Sequence, residues 1–275
     1  SFGILEAGDI VPSSGWVKQE IIHAKLTSRL FALPWGQWAQ GQGEQLEASA
    51  QGTWRLGGYR QLRSYTVWSD GLDTKDKLNP AEAKSLKIAT SLKKLPAFAD
   101  LRGKSLEEAL ARIRAHFIAQ KFTYSLSPGR IQSLPAFLNA KTGWCAHYAS
   151  AVGLLLRAAG HPARLVSGYL GGTFNTQGKH WKVSEDDAHV WVEAWSEGHW
   201  RTIDPTGWVV PERLTMGGGE FIEKLANPNR MFSGSRLPKW ALDAQMWMDA
   251  MNYKFLVWSE TFDQEEQRDI AKLLE

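Results

Sequence analysis

Cys145 is the single cysteine of the chain, and it directly precedes a predicted helix. Its thiol is therefore expected at the helix start. Residues 146–159 are rich in Ala and Leu and lack proline, which predicts a buried helix. Gly160 and Pro162 end it. Unpaired backbone N–H groups and the helix dipole favour an anion there and would lower the pKa of the thiol. The alternative is a small buried apolar side chain, the usual environment of a lone cysteine.

A base and an acid that could activate this thiol follow in a predicted β-hairpin. Residues 187–195 alternate in polarity, residues 199–207 form the returning strand, and Glu197-Gly198 is the turn. A register centred on that turn puts His189 and Asp204 on one face of the sheet, on a diagonal that long side chains span. The imidazole would take the thiol proton, and the carboxylate would hold its tautomer. A capping His and an Asp-Pro turn are the structural alternatives, but the three residues together favour catalysis.

Acyl transfer also needs hydrogen-bond donors for the oxyanion that develops on the carbonyl. The backbone N–H of Cys145 is the predicted first donor. The side-chain candidates for the second donor or for the substrate groove, each with a plain packing or surface alternative, are Trp144, Asn139, Gln132, Tyr124, His180 and Trp181. His147 is not the predicted base, because a spacing of two on a helix points it away from the thiol. No Cys-rich or His-x-x-x-His spacing predicts a metal site, and no cofactor is expected.

Composition limits the function further. The chain has 275 residues, 43% of them hydrophobic and 22% charged, as is usual for globular proteins. A net charge of +3, without a basic run interleaved with aromatic residues, does not favour nucleic-acid binding. One cysteine excludes an internal disulfide. We find no signal peptide and no apolar run long enough to span a membrane.

The sequence divides into three predicted regions. Residues 1–78 have β character, with strands at 46–56 and 59–68 joined by a Gly-Gly turn and a loop at 40–44; a scaffold role is favoured over carbohydrate or partner binding. Residues 79–215 form the catalytic core. Residues 216–275 are predicted as a glycine-rich linker at 216–220 followed by amphipathic helices over 240–274.

Within the core, residues 79–94 are predicted to be helical, and Ser105 with Glu108 forms a capping-box pattern for a second helix. Residues 163–170 are predicted as a buried strand. His116 and Glu193 are expected to face solvent.

Three blocks of this sequence resemble the transglutaminase-like superfamily: GWCAHYASAVGLLLRAAGHPARLVSGYLGG, DAHVWVEAW and WRTIDPTG. The segments KFTYSLSPG, FLNAKTGWC and VVPERL, and the tail WMDAMNYKFLVWSETFDQEEQRDIAKLL, resemble in particular its bacterial inner-membrane TgpA group. The resemblance runs from about residue 101 to the C-terminus, and residues 1–78 have no detailed match.

The resemblance implies an α+β, papain-like fold in which a helix bearing the cysteine packs on an antiparallel sheet. It makes Cys145 the nucleophile, His189 the base and Asp204 the orienting acid. It also implies a periplasmic domain held by membrane helices outside this sequence, acting on a protein or peptide amide and in contact with cell-envelope components. The family usually has an acidic residue directly after the cysteine, whereas this chain has Ala146. That departure motivates the alternative of a non-catalytic envelope module.

Overall fold

The structure is a computed structural model, and it describes residues 16–27, 30, 38–41, 44–48, 54–55, 62–69, 95–226, 247–248 and 251. The predicted helix over 79–94 and nearly all of the predicted C-terminal helices lie outside these ranges. The chain divides into two compact units: Ser1–Thr74 with Asn175–His180 and Ser235–Glu275, and Lys75–Phe174 with Trp181–Gly234. In the described ranges, no helix combines the length and apolarity needed to cross a bilayer.

The first unit contains a four-stranded antiparallel sheet with the strand order β1-β6-β2-β3 and a separate two-stranded ladder, β4-β5. The strands are β1 (Val17–Thr27), β2 (Trp38–Gly41), β3 (Glu44–Gln45), β4 (Glu47–Ala48), β5 (Trp54–Arg55) and β6 (Leu62–Ser69). The sheet buries a small apolar cluster made by Leu30, Ala39, Leu46, Leu62, Tyr65 and Val67. The predicted β character of this region is confirmed.

Two details of that region were predicted wrongly. Gln40 and Gly41 pair with Gln45 and Glu44, so the predicted loop at 40–44 contains paired strand residues. The segment 46–56 is not one strand, because Glu47 and Ala48 pair with Arg55 and Trp54 of the same segment. Alternating polarity marks extended backbone but does not say where it folds back.

The described part of the second unit contains four α-helices and most of the remaining strand residues. The helices are α1 (Leu106–Ala119), α2 (Leu134–Ala140), α3 (Cys145–Ala159) and α4 (Gly218–Ala226). The strands are β7 (Thr123–Tyr124), β8 (Thr142–Gly143), β9 (Ala163–Tyr169), β10 (Thr173–Asn175), β11 (His180–Lys182), β12 (Ala188–Ser196) and β13 (His199–Ile203). Asn175, the last residue of β10, and His180, the first residue of β11, belong to the first unit.

Helix α3 is the centre of the second unit; its predicted end is confirmed, and its start lies one residue before the predicted one. It begins at Cys145 and ends at Ala159, capped by Gly160, whose φ of 108° is readily adopted only without a side chain. Most of its residues are buried against the sheet and against α1 and α2, including Tyr148, Val152 and Leu155. Burial of this apolar surface fixes the position of the helix relative to the strands.

The sheet of the second unit is antiparallel with the order β13-β12-β9. Trp195 pairs with Trp200 and Val192 with Ile203, so the hairpin register predicted from the turn at Glu197-Gly198 is confirmed. The same register places Ile203, the last residue of β13, beside Val192, three residues after the predicted base His189.

The capping box of α1 is confirmed: Ser105 Oγ accepts the Glu108 N–H at 3.3 Å, and the Glu108 carboxylate accepts the Ser105 N–H at 2.9 Å. His116, expected to face solvent, is instead half-buried, with its ring 4.6 Å from that of Phe98. The 3₁₀ turn of residues 96–98 covers this face of α1, which the spacing of apolar residues in α1 alone does not reveal.

The predicted glycine-rich linker at 216–220 is also wrong, since α4 begins at Gly218. The Gly218 N–H donates to Asp187 Oδ1 at 2.7 Å, and a Cβ at this position would overlap the backbone carbonyl of Asp186. The glycine therefore permits close packing of two backbones rather than flexibility.

Candidate active site

Cys145 is presented by a short parallel pair of strands that leads into α3. Thr123 pairs with Thr142 and Tyr124 with Gly143, and the Tyr148 hydroxyl of α3 donates to the Thr123 carbonyl at 2.6 Å. These contacts fix the two residues that precede the helix. The thiol therefore lies at the N-terminus of a buried, immobilised helix.

His189 lies on β12 and is almost completely buried, with 2% of its surface exposed. Its Nε2 is 2.6 Å from Asp204 Oδ2. The other ring nitrogen, Nδ1, is buried and has no nitrogen or oxygen partner in the described part of the chain. Because Nε2 is engaged by the carboxylate, Nδ1 is the nitrogen available to the Cys145 thiol, which interacts with this imidazole.

Asp204 is positioned by the turn that follows β13. Its Oδ1 accepts the Thr206 N–H at 3.0 Å, and Pro205 begins the 3₁₀ turn of residues 205–208. Each carboxylate oxygen therefore has a different partner, one in the turn and one on His189. The Asp-Pro pair thus caps a turn and also orients the imidazole, so the structural and catalytic alternatives coexist.

Opposing effects act on the thiol. Burial raises the pKa of Cys145, but the hydrogen bond and charge of His189, together with the N–H groups of Val190 and Ala146, outweigh burial and lower that pKa. Ala146 thus supplies a backbone donor although its side chain is apolar. The environment favours the thiolate.

The imidazole shifts in the complementary direction. Burial alone would lower the pKa of His189, but hydrogen bonds to Asp204 and Cys145 and the charges of both groups raise it to about 9. A lowered thiol pKa beside a raised imidazole pKa is the pattern of a thiolate–imidazolium pair.

Tyr124 is the groove candidate that the structure brings to the cysteine. Its hydroxyl lies close enough to the backbone N–H and the thiol of Cys145 for both groups to affect its pKa. Burial, followed by the charge of Cys145, raises the pKa of this hydroxyl to about 12, so it stays protonated and can donate. Its ring lies edge-on to Phe221 of α4, with centroids 5.4 Å apart.

His147, which is not the predicted base, links two segments of the chain near Cys145. Its Nδ1 accepts the Trp144 backbone N–H at 3.3 Å, and the imidazole also bonds the backbone of Ile131. Burial lowers the pKa of His147, so it is neutral near pH 7. The only sequence signal for this role is the spacing of three residues from Trp144.

The other candidates are exposed or, in the case of His180, belong to the first unit. Gln132 is exposed and pairs with Arg130, and Asn139 is exposed near the end of α2. Trp181 is exposed and packs on Phe174, with ring centroids 5.3 Å apart. His180 belongs to the first unit, so its proposed place at the groove rim stays a prediction.

Glu193, expected to be a solvated charge, is mostly buried and pairs with Arg164 across the sheet at 2.7 Å. It neutralises a cation rather than serving the imidazole. Among the described residues, no group of three or more His, Cys, Asp or Glu side chains is arranged to hold a metal ion.

Comparison with known proteins agrees with this geometry. Residues 99–205 match the sequence profile of the transglutaminase-like superfamily. A protein of Pseudomonas aeruginosa named protein-glutamine gamma-glutamyltransferase is 37% identical over 167 residues, which are 58% of this chain and 25% of that protein. The uncharacterized protein YebA of Bacillus subtilis is 41% identical over 81 residues, covering 27% of this chain and 11% of YebA. This chain therefore spans a quarter or less of the length of these relatives.

Among solved structures, the chain is similar to the periplasmic domain of TgpA from Pseudomonas aeruginosa, with 28% identity, a TM-score of 0.61 and 74% of each chain covered. The mixed helix and antiparallel-sheet fold predicted from the sequence is thus the fold of that domain.

Proposed function

We propose that this chain is a cysteine-dependent acyl transferase or hydrolase of the bacterial cell envelope, because residues 99–205 match the sequence profile of the transglutaminase-like superfamily. It acts on glutamine side-chain amides or on peptide amides through a thioester. The observation that best supports this proposal is the buried His189, bound to Asp204 at 2.6 Å through one nitrogen and interacting with Cys145.

In the acylation step, the Cys145 thiolate attacks the carbonyl carbon of the amide and a C–S bond forms. His189, protonated at Nδ1, gives its proton to the amide nitrogen, the C–N bond breaks, and ammonia or an amine leaves. Asp204 holds Nε2–H and stabilises the imidazolium before the proton moves. The product is a thioester and a neutral imidazole.

In the second step, the neutral imidazole takes a proton from the acyl acceptor as that acceptor attacks the thioester. The C–S bond breaks, and the thiolate and imidazolium are restored. Water as acceptor gives deamidation of a glutamine or hydrolysis of a peptide bond, whereas a primary amine gives transamidation. All three outcomes share one intermediate, and the relative named as a glutamyltransferase supports a glutamine as acyl donor.

Tyr124 gives the oxyanion site a specific form in this proposal. Its hydroxyl lies beside the Cys145 N–H, the predicted first oxyanion donor. When a substrate carbonyl arrives, the hydroxyl and this N–H donate to the same oxygen. Tyr124 is therefore the proposed second donor, in preference to Trp144, Asn139 or Gln132.

The proposed location and partners follow from the likeness to a periplasmic domain. The chain would meet protein or peptide substrates and cell-envelope components there, with membrane attachment through segments outside this sequence, and nucleic acid is not a proposed partner.

The test is an assay of a glutamine-containing protein with a labelled primary amine, in which released ammonia, incorporated amine and cleaved chain are measured separately. The expected result is turnover by the wild type and none by Cys145→Ala, with nearly the same melting temperature for both proteins. Turnover that persists in Cys145→Ala would overturn the proposal.

A further inference from the structure

An open cleft lies beside the residue that precedes the nucleophile. It has a volume of about 570 Å³ and is lined by residues 126–131 on one side and by Trp144 and His147 on the other. Trp144 is 44% exposed, a large fraction for an indole. Trp144 directly precedes Cys145 in the chain, so the cleft includes the residue before the reacting one.

The lining is mostly apolar and contains one cation. Leu126, Pro128, Ile131 and the indole of Trp144 supply apolar surface, and Arg130 supplies the only permanent charge among the lining residues. His147 adds none, because burial lowers its pKa and keeps its imidazole neutral near pH 7.

The Arg130 guanidinium is oriented but not neutralised. With the Gln132 amide oxygen turned towards it, that oxygen accepts hydrogen bonds from Arg130 Nε at 3.1 Å and from Nη2 at 3.2 Å. Within the described part of the chain, Arg130 forms no ion pair, and its remaining N–H groups have no partner. An oriented cation without a counter-charge is a site for a carboxylate.

The surrounding sequence extends this charge asymmetry. Between Glu108 and Glu185 the chain has no acidic residue, but it has nine Lys and Arg residues. Two of these cations are neutralised from outside the segment, Arg112 by Asp100 and Arg164 by Glu193. No carboxylate of this stretch competes with a substrate for Arg130.

From this cleft we propose a substrate preference, which rests on the proposed function: the enzyme selects acyl-donor glutamines that have an acidic residue next to them in the chain. The acidic side chain enters the cleft and pairs with Arg130, and its neighbours pack on Trp144 and Ile131. This places the reactive amide at Cys145. The preference belongs to the acyl donor, because the cleft includes Trp144, the residue directly before the nucleophile.

Peptide binding to an inactive variant tests this preference without turnover. The probes are fluorescein-labelled nine-residue peptides that contain one glutamine flanked on both sides by Glu, by Asn or by Lys. Their Kd is measured by fluorescence anisotropy against the full chain carrying Cys145→Ala, which prevents acylation. The Glu peptide should bind about three- to five-fold more tightly than the Asn peptide, as expected for one partly exposed ion pair.

Arg130 variants identify the source of the preference. Arg130→Gln should make the Glu and Asn peptides bind equally, and Arg130→Glu should favour the Lys peptide. Arg114→Gln, which removes an exposed cation of the same basic stretch outside the cleft, is the matched control and should keep the preference. Equal binding of the Glu and Asn peptides to the Cys145→Ala protein would overturn the proposal. Loss of the preference to the same extent in Arg114→Gln and Arg130→Gln would also overturn it. That result would indicate that the overall positive charge of the stretch, rather than Arg130, attracts the peptide.

The two proposals fail separately. If the Arg130-dependent preference is present but wild type turns over no peptide, the cleft is a binding site and the acyl-transfer proposal is wrong. If wild type turns over the Glu and Asn peptides with the same kcat/KM, acyl transfer stands and the acidic preference is wrong.

Discussion

At Cys145, burial and polar contacts oppose each other, and the polar contacts determine the reactivity. A buried thiol would normally be inert, because burial raises its pKa. Here His189 and two backbone N–H groups reverse the shift. The imidazole depends in turn on Asp204, whose second oxygen is fixed by the Thr206 N–H. Reactivity at one atom thus depends on a turn 60 residues further along the chain.

This balance predicts the pH dependence of alkylation. Because the pKa of Cys145 is lowered, its reaction with iodoacetamide should stay fast well below the free-thiol pKa of about 8.5 and slow only as pH falls through the lowered value. In His189→Ala, burial acts with less opposition, so the apparent pKa should move above 8.5. Since Cys145 is the only cysteine, intact mass measures its alkylation directly. Identical profiles in both proteins would mean that the ion pair does not form.

The decrease of kcat at high pH should report the deprotonation of His189. The first step needs the imidazolium as proton donor, and the pKa of His189 is raised to about 9. Turnover should therefore hold through pH 8 and fall as pH rises through about 9, while the thiol remains ionised. The measurement is kcat against pH with the labelled-amine assay. A decline centred near the ordinary imidazole pKa of about 6.5 would contradict the raised value.

Tyr124 should contribute to the transition state rather than to binding. Tyr124→Phe removes the proposed second oxyanion donor, so kcat should fall about 100-fold with little change in KM. Tyr169→Phe, at a partly exposed tyrosine of β9, is the control and should leave kcat unchanged. An increase in kcat for Tyr124→Phe would show instead that the hydroxyl only blocks the Cys145 N–H.

At the level of elements, the strands β7 and β8 and the start of α3 must fit without a side chain at Gly143. A Cβ there would lie 2.8 Å from His147 Cβ and 2.9 Å from Phe137 Cε2. Gly143→Ala should therefore lower the free energy of unfolding by about 2 kcal/mol through overpacking. It should also slow the alkylation of Cys145, because the helix start must shift.

Gly153, inside α3, is the matched control. A Cβ there meets only Leu165 Cδ2, at an ordinary 3.5 Å. Gly153→Ala should raise the free energy of unfolding by about 0.5–1 kcal/mol, the usual gain in a helix interior. Denaturant unfolding measures both variants, and equal effects would show that the space around Gly143 is not limiting.

The elements that were predictable from the sequence are those specified by local signals. Gly160 ends α3 by backbone conformation, Ser105 and Glu108 begin α1 by mutual hydrogen bonds, and the turn at Glu197-Gly198 sets the register that brings β12 and β13 together. Each signal acts within a few residues, so a single sequence contains it.

The features that were missed depend on residues distant in the chain. Glu193 was expected in solvent, but Arg164 of the neighbouring strand pairs with it. Gly218 was assigned to a linker, but its backbone packs against Asp186 and begins a helix. The role of His147 depends on Ile131, 16 positions earlier. A tertiary partner overrides local preference in each case.

At the level of the whole molecule, the contacts that tune the thiol are contained in one unit. Cys145, His189, Asp204 and Tyr124 belong to the second unit, as does the apolar cluster that buries α1 and α3. The sheet of the first unit has its own apolar cluster. The reactivity of Cys145 should therefore not depend on the first unit. Recognition of a whole substrate protein can still involve both units.

That separation predicts the behaviour of a fragment of residues 75–234. Because the helices, the sheet and the hydrogen bonds around Cys145 lie within it, the fragment should unfold cooperatively. Its pH profile of Cys145 alkylation should match that of the full chain. The same fragment carrying His189→Ala is the control and should show the raised thiol pKa expected for that variant. If the wild-type fragment unfolds cooperatively but its thiol titrates near 8.5 like a free cysteine, the ion pair depends on residues outside the second unit, and the two units form one catalytic body.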